Sequence, residues 1–312
     1  MTAPSWMIAV LIVAAVGDAT GSARASDLVL PIRFDSFAAP LIELDLDGTT
    51  SALMLDTGSA EGLHLTRPTI ERIRGARFTG QTQKSSNMAG DVRENARFVI
   101  DALTIGGLTF RDVTGVEFTP WSVTLMGAAE PPVSPVIGLG FFKGRSILID
   151  YQAATLTVFE ASAAGVLEGQ DGWIEVPFRQ TDEGLLLDAD IAGQRHRMSL
   201  DSGASMSMVI ADRIDAASSA VSCRSIYPNM PDEDCKLVPV ETEFGGSKRT
   251  MNAFLMRENP GPFEGTGLLG GDFLFQHAVL VDLGASRMLV RAFPSDAGGR
   301  SASRFRPFYV LP

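Results

Sequence analysis

The sequence lacks the residues that several large functional classes require. Lys and Arg number 26 against 37 Asp and Glu, giving a formal net charge of −11, and the basic residues form no cluster. Because nucleic-acid binding needs grouped Lys and Arg to neutralise phosphates, we predict no nucleic-acid partner. Two cysteines cannot form a four-cysteine zinc site, and His64, His196 and His277 lie too far apart for the H-E-x-x-H helix of zinc peptidases. The sequence therefore predicts no metal centre.

Two further motifs are absent or incomplete. Ser202 and Ser205 lack the G-x-S-x-G turn of α/β hydrolases. The segment Gly265-Thr-Gly-Leu-Leu-Gly270 matches the G-x-G-x-x-G pattern of dinucleotide sites, but Pro260-Gly-Pro262 stands where such a site needs a strand. We therefore predict neither a serine hydrolase nor a nucleotide-binding protein.

Long apolar runs are missing as well. The run Met7–Val16 is too short to span a bilayer, and small and polar residues follow it as far as Ala23-Arg24-Ala25. This pattern predicts a signal peptide over residues 1–25 and an exported protein, periplasmic or secreted, although Met1–Trp6 contains no Lys or Arg. A buried N-terminal strand or an uncleaved anchor is the alternative.

One short stretch occurs twice in the chain. Leu55-Asp-Thr-Gly-Ser59 and Leu200-Asp-Ser-Gly-Ala204 each follow an apolar run, which predicts a strand that ends in a tight turn. We expect Gly58 and Gly203 to allow the sharp backbone turn. Asp56 and Asp201 are therefore candidate functional carboxylates at two strand ends.

A second pair of segments follows the two Asp turns. Val136-Ile-Gly138 and Leu268-Leu-Gly270 each begin a block that aligns with the other at an offset of 132 residues, against 145 for the Asp turns. Matched motifs in matched order indicate a tandem duplication. With 31 Gly and 17 Pro among short apolar runs, the chain should form many strands and turns. We predict lobes over residues 26–165 and 166–312, joined by a linker at Ala161–Gly172.

These four segments resemble the aspartic peptidases of the pepsin and retropepsin superfamily. Each lobe in that family carries an apolar-Asp-Thr/Ser-Gly turn and, later, an apolar-apolar-Gly segment beside it. The likeness is greatest to a bacterial, retropepsin-like type with both lobes fused in one chain. It implies an all-β, bilobal fold of two similar β-barrel-like lobes, related by pseudo-twofold symmetry with the active site between them. A monomer is implied, since both lobes are in one chain.

The resemblance also implies roles for the residues of the two turns. Asp56 and Asp201 would share one proton and activate a water molecule, with no metal or cofactor. Thr57 and Ser202 match residues whose hydroxyls interlock across the lobes, and Gly58 and Gly203 complete the turns. Ser59 matches the pepsin position that hydrogen-bonds its own catalytic Asp, whereas Ala204 resembles retropepsins. Because one such bond is lost, we expect activity at weakly acidic pH.

A flap over the cleft is a further implication. Arg97–Ile105 and Leu108–Phe110 are joined at Gly106-Gly107, a hairpin signal, and a polar stretch precedes them. By position, the substrate-binding tip of the flap would include Ser86, Asn87, Met88 and Gly90. Pepsins place a Tyr on the flap, and none occurs in this segment. A surface loop without a role in substrate binding is the alternative.

The two cysteines lie in one polar stretch. Cys223 and Cys235 could close a disulfide in an oxidising compartment, with two unlinked thiols as the alternative.

Three functional hypotheses follow from the sequence. The first is an aspartic endopeptidase acting on protein or peptide substrates. The second is a catalytically inert protein with the peptidase fold that binds peptides or envelope components, which the missing flap Tyr favours. The third is an unrelated exported β-rich binding protein with two Asp-Gly turns, which the matched spacing opposes.

Overall fold

The computed structural model describes residues 27–86, 92–118, 134–181, 184–215, 220–225, 235–256, 264–294 and 309–310. The predicted signal peptide, residues 1–25, lies outside these ranges. Regular structure in the described residues is mostly β. The strands are β1 Leu28–Phe34, β2 Pro40–Leu46, β3 Thr49–Asp56, β4 Leu63–Leu65, β5 Ala76–Ser86, β6 Val92–Ile105, β7 Leu108–Glu117, β8 Val136–Gly138, β9 Ser146–Asp150, β10 Thr155–Phe159, β11 Ile174–Glu175, β12 Phe178–Thr181, β13 Gly184–Ile191, β14 Gln194–Leu200, β15 Met208–Ile210, β16 Val221–Ser222, β17 Arg224–Ser225, β18 Lys236–Phe244, β19 Ser247–Met256, β20 Gly267–Leu269, β21 His277–Asp282, β22 Arg287–Ala292 and β23 Tyr309–Val310.

The helices are short. They are α1 Arg67–Ile70, α2 Ala164–Leu167 and α3 Gly271–Leu274, with 3₁₀ turns at Leu139–Phe142 and Ala211–Arg213. No helix in the described ranges is long and apolar enough to cross a membrane.

Both halves of the chain repeat one strand order. It is β2-β3-β8-β4-β7-β6 in the first half and β13-β14-β20-β15-β19-β18 in the second. In each half the second strand runs parallel to the third and the fourth parallel to the fifth, whereas the other neighbours are antiparallel. The second set closes into a barrel because β18 also pairs with β13, at Glu241↔Asp190 and Val240↔Ile191. The expected all-β, bilobal architecture with pseudo-twofold symmetry is confirmed.

A third group of strands joins the two lobes. Its order is β11-β22-β21-β9-β10-β1, with three strands from each half. The halves meet where β9 pairs antiparallel with β21, in the register Ile149↔Val279 and Ile147↔Val281. All four of these side chains are buried. The predicted linker carries α2, whose Ala164 and Leu167 pack against this sheet. The lobes therefore share one continuous apolar core.

The hairpins that lead to the two Asp turns use the same chemistry. Asp47-Gly48 and Ala192-Gly193 form two-residue turns with positive φ at every position. The carboxylate of Asp45 accepts the Gly48 N–H at 2.6 Å, and that of Asp190 accepts the Gly193 N–H at 2.8 Å. Such turns match the right-handed twist of the strands and fix their register. Asp56 and Asp201, which follow these hairpins, therefore lie at defined positions at the ends of β3 and β14.

Other sequence predictions are confirmed at hairpins and cysteines. Gly106-Gly107 links β6 to β7, and Gly245-Gly246 links β18 to β19. Cys223 and Cys235 form a disulfide with a Cα–Cα distance of 5.1 Å.

Candidate active site

The two Asp turns lie at equivalent positions in the two lobes. β3 ends at Asp56 and β14 ends immediately before Asp201. Each strand runs parallel to the strand of its own apolar-apolar-Gly segment, with Leu55 opposite Ile137 and Leu200 opposite Leu269. Because parallel neighbours end at the same edge of a sheet, each Gly segment flanks the turn that carries the carboxylate.

The glycines of those segments are required by close approach. A Cβ added at Gly138 would lie 2.7 Å from the Ser59 carbonyl oxygen, and one at Gly270 would lie 2.8 Å from that of Ala204. Both distances are shorter than real contacts allow. The Asp turn can rest on its neighbouring strand only if that strand carries glycine there.

Hydroxyl groups interlock the two turns. Thr57 Oγ1 donates to the Leu200 carbonyl at 2.8 Å and accepts the Ser202 N–H at 2.9 Å. Reciprocally, Ser202 Oγ donates to the Leu55 carbonyl at 2.8 Å and accepts the Thr57 N–H at 2.9 Å. Both residues are buried, so each bond satisfies a group that water cannot reach. The four bonds hold the two turns in one register across the lobe boundary.

Gly58 and Gly203 are needed for a different reason from the one that the sequence suggested. Neither is among the residues with positive φ, so the turn does not depend on left-handed backbone at these positions. Instead, a Cβ at Gly58 would lie 2.9 Å from Asp201 Cγ, and one at Gly203 would lie 3.0 Å from Asp56 Cγ. Each glycine makes room for the carboxyl of the opposite lobe, and this brings the two carboxyls together.

Backbone donors surround the pair of carboxyls. Asp56 Oδ1 accepts the Gly58 N–H at 2.9 Å, and Asp201 Oδ1 accepts the N–H groups of Gly203 and Ala204 at 2.9 and 3.1 Å. Burial and the charge of Asp201 hold the pKa of Asp56 well above its usual range, despite the opposing N–H bonds. Burial also raises the pKa of Asp201. Two adjacent carboxyls that are only partly exposed cannot both ionise cheaply, so the pair retains one proton over a wide pH range.

Ser59 differs from the pepsin pattern. Its hydroxyl lies 2.8 Å from His64 Nε2 on β4, instead of bonding the carboxyl of Asp56. Burial lowers the pKa of His64 to about 4, so this imidazole is neutral at weakly acidic and neutral pH. Ser59 therefore supports the site through the strand that follows its turn. The sequence showed His64 eight residues after Asp56, but nothing in that spacing indicated the contact.

A buried carboxylate supports the second turn, and sequence reasoning missed it. Asp272 Oδ1 accepts the Ser207 hydroxyl at 2.7 Å and the Ser207 N–H at 2.9 Å, and the Ser207 hydroxyl accepts the Gly270 N–H at 3.1 Å. Burial raises the pKa of Asp272 to about 6. These bonds link the Asp201 turn to the Gly segment. The first lobe has Gly62 and Gly140 at the matching positions, so the internal repeat gave no signal.

The predicted flap is described in part. β5 and β6 form a hairpin in which Ser86 pairs with Val92, whereas Asn87, Met88 and Gly90 lie outside the described residues. At the base, the Arg97 guanidinium lies 3.1 Å from Glu61 and 2.5 Å from the side-chain oxygen of Gln83. Since Glu61 belongs to the loop after Asp56, this ion pair ties the hairpin to the candidate site. The role of the tip in substrate binding remains a prediction.

Comparisons with known proteins agree with this geometry. Residues 42–141, which include Asp56 and Gly138, match the family model described as aspartyl protease. Basic 7S globulin from soybean has a similar structure, with a TM-score of 0.56 and 11% identity over 90% of this chain and 99% of that chain. The aspartic proteinase from Irpex lacteus aligns with a TM-score of 0.56 and 11% identity over 88% of this chain and 100% of its own. No curated protein sequence matches the chain significantly.

The class of protein follows from the fold and the sequence match together. The first lobe carries the sequence pattern of the aspartyl proteases, and both lobes carry their fold. The comparisons thus define the chain by its fold and by the sequence match over residues 42–141, and a single polypeptide contributes both Asp turns.

Proposed function

We propose that this protein is an aspartic endopeptidase in which Asp56 and Asp201 are the catalytic residues. The observation that carries the proposal is the placement of two carboxyls against each other by the interlock of Thr57 and Ser202. A structural Asp in a turn needs no second carboxyl beside it. Here both carboxyls have raised pKa values, which costs stability and is typical of catalytic sites.

The chemistry follows from the shared proton. The ionised carboxyl removes a proton from a water molecule as its oxygen attacks the carbonyl carbon of a peptide bond. The protonated carboxyl donates a hydrogen bond to the carbonyl oxygen, where negative charge develops. Collapse of the tetrahedral intermediate breaks the C–N bond, and a carboxyl proton passes to the leaving nitrogen. Both carboxyls are thus used, in different protonation states.

The test is cleavage of a mixed peptide library by purified Ser26–Pro312 between about pH 3 and 7, beside Asp56→Asn and Asp201→Asn. Each variant keeps the shape of the site but cannot share the proton. We expect cleavage to fall at least about 10³-fold in both. Asp101→Asn is the matched control, since Asp101 on β6 is exposed and pairs with Arg77 on β5, outside the candidate site.

Two outcomes separate the hypotheses. Cleavage that is lost in both site variants and blocked by a statine-type transition-state analogue supports the peptidase. A folded wild-type chain that cuts no peptide at any pH would contradict it and would favour a binding protein with the same fold.

We also propose that the protein is exported to the periplasm or beyond the cell. The disulfide between Cys223 and Cys235 supports this, because such bonds persist in oxidising compartments. Fractionation of the native host, with N-terminal sequencing of the mature chain, tests it. A full-length chain in the reducing cytoplasm would contradict export.

A further inference from the structure

Among the described residues, Tyr151 is the largest wholly buried side chain that carries a polar group without a hydrogen-bond partner. Its exposed fraction is 0%, and its hydroxyl has no hydrogen-bond partner among the described residues. Buried polar groups in proteins are nearly always paired, so an unpaired hydroxyl needs an explanation. The mechanism above does not use this residue.

Aromatic packing from both lobes fixes the Tyr151 ring. The ring lies edge-on to Phe34, with centroids 4.8 Å apart, and edge-on to Phe275, with centroids 5.1 Å apart. Phe34 and Phe275 also contact each other at 5.0 Å. The three rings form a cluster at the junction of β1, β9 and the end of α3. Such packing leaves the hydroxyl little freedom to move away from its position.

The same cluster is connected to the Asp201 turn on two sides. Phe34 ends β1, and the loop that follows accepts a hydrogen bond from the Ser205 hydroxyl through the Phe37 carbonyl. On the other side, the Phe275 N–H bonds the Gly271 carbonyl, and the Gly271 N–H bonds the Ala204 carbonyl, both at 2.8 Å. The Tyr151 ring is therefore packed against two segments that hydrogen-bond to the turn of Asp201, one of the two candidate catalytic carboxyls.

Electrostatics agree with this location. Burial raises the pKa of Tyr151 well above its usual range, and the negative charges of Asp201 and Asp56 raise it further. The phenol thus keeps its proton throughout the range in which the pair titrates. Its O–H can rotate to direct the hydrogen towards negative charge.

We propose that Tyr151 is a positioning residue of the Asp56/Asp201 pair and that the dipole of its hydroxyl stabilises the singly ionised form of the pair. This inference rests on the proposed function for its consequence in catalysis. An O–H dipole in a water-free interior acts strongly on a nearby charge, and a donor directed at a carboxylate lowers its pKa.

The test is the variant Tyr151→Phe, which removes the hydroxyl and keeps the ring. Titration of the chain with ¹³C-labelled aspartate carboxyls reports the pair directly by NMR and needs no substrate. We expect the pKa for the first ionisation of the pair, which produces the singly ionised form, to rise by about half a unit or more in the variant. If the protein is a peptidase, the acidic limb of kcat/KM moves by the same amount.

Thr242→Val is the matched control. Thr242 is also buried, at 2% exposure, with a hydroxyl that has no partner. It lies on β18, which pairs with the Ile191 end of β13, whereas Asp201 follows the opposite end of the β13–β14 hairpin. The control should leave the titration of the pair unchanged. A Tyr151→Phe titration that coincides with wild type would overturn the proposal.

A second measurement uses the unaltered chain. The sequence has three tyrosines, so the ¹³Cζ resonance that is lost in Tyr151→Phe identifies Tyr151. We expect this resonance to shift with the titration of the Asp pair, and a flat response between about pH 3 and 8 would refute the proposal. Because neither NMR experiment requires cleavage, failure of the peptidase hypothesis would appear separately, in the peptide-library assay.

Discussion

Ser59 Oγ and His64 Nε2 lie 2.8 Å apart, which takes the Ser59 hydroxyl away from the carboxyl of the candidate catalytic Asp56. Ala204, the matching residue of the second lobe, has no hydroxyl. Neither carboxyl is therefore stabilised by a side chain at this position. Both depend on backbone N–H groups and on each other, and burial raises the pKa of each carboxyl above its usual range.

Ser59→Ala should leave the pH dependence of the Asp pair almost unchanged, because the hydroxyl does not bond the pair. It should lower the free energy of unfolding by about 1 kcal/mol, since His64 loses its partner. A pH–rate profile and urea unfolding measure the two effects. Should the acidic limb move by a full unit, the hydroxyl would have to bond Asp56 in solution, as in the pepsin pattern.

Thr57→Val should weaken the junction of the lobes. The change keeps the shape but leaves the Leu200 carbonyl and the Ser202 N–H without partners in a buried place. We expect a loss of about 2 to 4 kcal/mol in the free energy of unfolding, measured in urea. Thr57→Ser is the control, because it keeps the hydroxyl and should lose much less. Equal losses in both variants would mean that the methyl group, and not the interlock, stabilises the junction.

Much of the fold could be predicted because local patterns and the repeat agree. The alternation in Leu41–Leu46, the Asp-Gly turn at Gly48 and the two Asp turns all depend on neighbours in sequence, and the second half repeats them. The meeting of Asp56 with Asp201 could be predicted only through the family resemblance. No local sequence pattern indicates that two carboxyls 145 residues apart will be in contact.

What could not be predicted depends on contacts between distant side chains. Spacing alone does not decide whether Ser59 bonds Asp56 or His64, because a rotation about one side-chain bond separates the two. The buried position of Tyr151 follows from how β9 meets β21, which no local pattern encodes. Gly58 was correctly expected in the site but for the wrong reason, since its lack of a side chain matters more there than its backbone freedom.

His277 should make the fold sensitive to acid. It is wholly buried, stacks on Phe273 at 4.3 Å, and burial lowers its pKa to about 4. The unfolded chain therefore binds a proton at higher pH than the folded chain, so stability should fall as pH drops from about 6.5 towards 4, by up to about 3 kcal/mol. His277→Phe keeps the stacked ring and should remove the part of this slope that His277 contributes, leaving the part from His64, whose pKa burial also lowers to about 4. Urea unfolding at a series of pH values tests it, and an unchanged slope in the variant would contradict it.

Asp272 should produce a slope of the opposite sign. Burial raises its pKa to about 6 in the folded chain, above the 3.8 that is usual for an aspartate carboxyl, so the folded state holds a proton that the unfolded state has released. Its contribution to stability is complete below about pH 4 and is lost as pH rises towards 6, by an amount on the order of 3 kcal/mol. Asp272→Asn cannot titrate, and its amide oxygen can still accept the Ser207 bonds. The variant should therefore gain stability relative to wild type between pH 4 and 7, whereas His277→Phe should gain it in the acid direction.

In wild type the two slopes oppose each other between about pH 4 and 6, and only the pair of variants, unfolded in urea over this range, separates them. If Asp272→Asn instead tracked wild type at every pH, Asp272 would have to be ionised in the folded chain and stabilised by Ser207 alone.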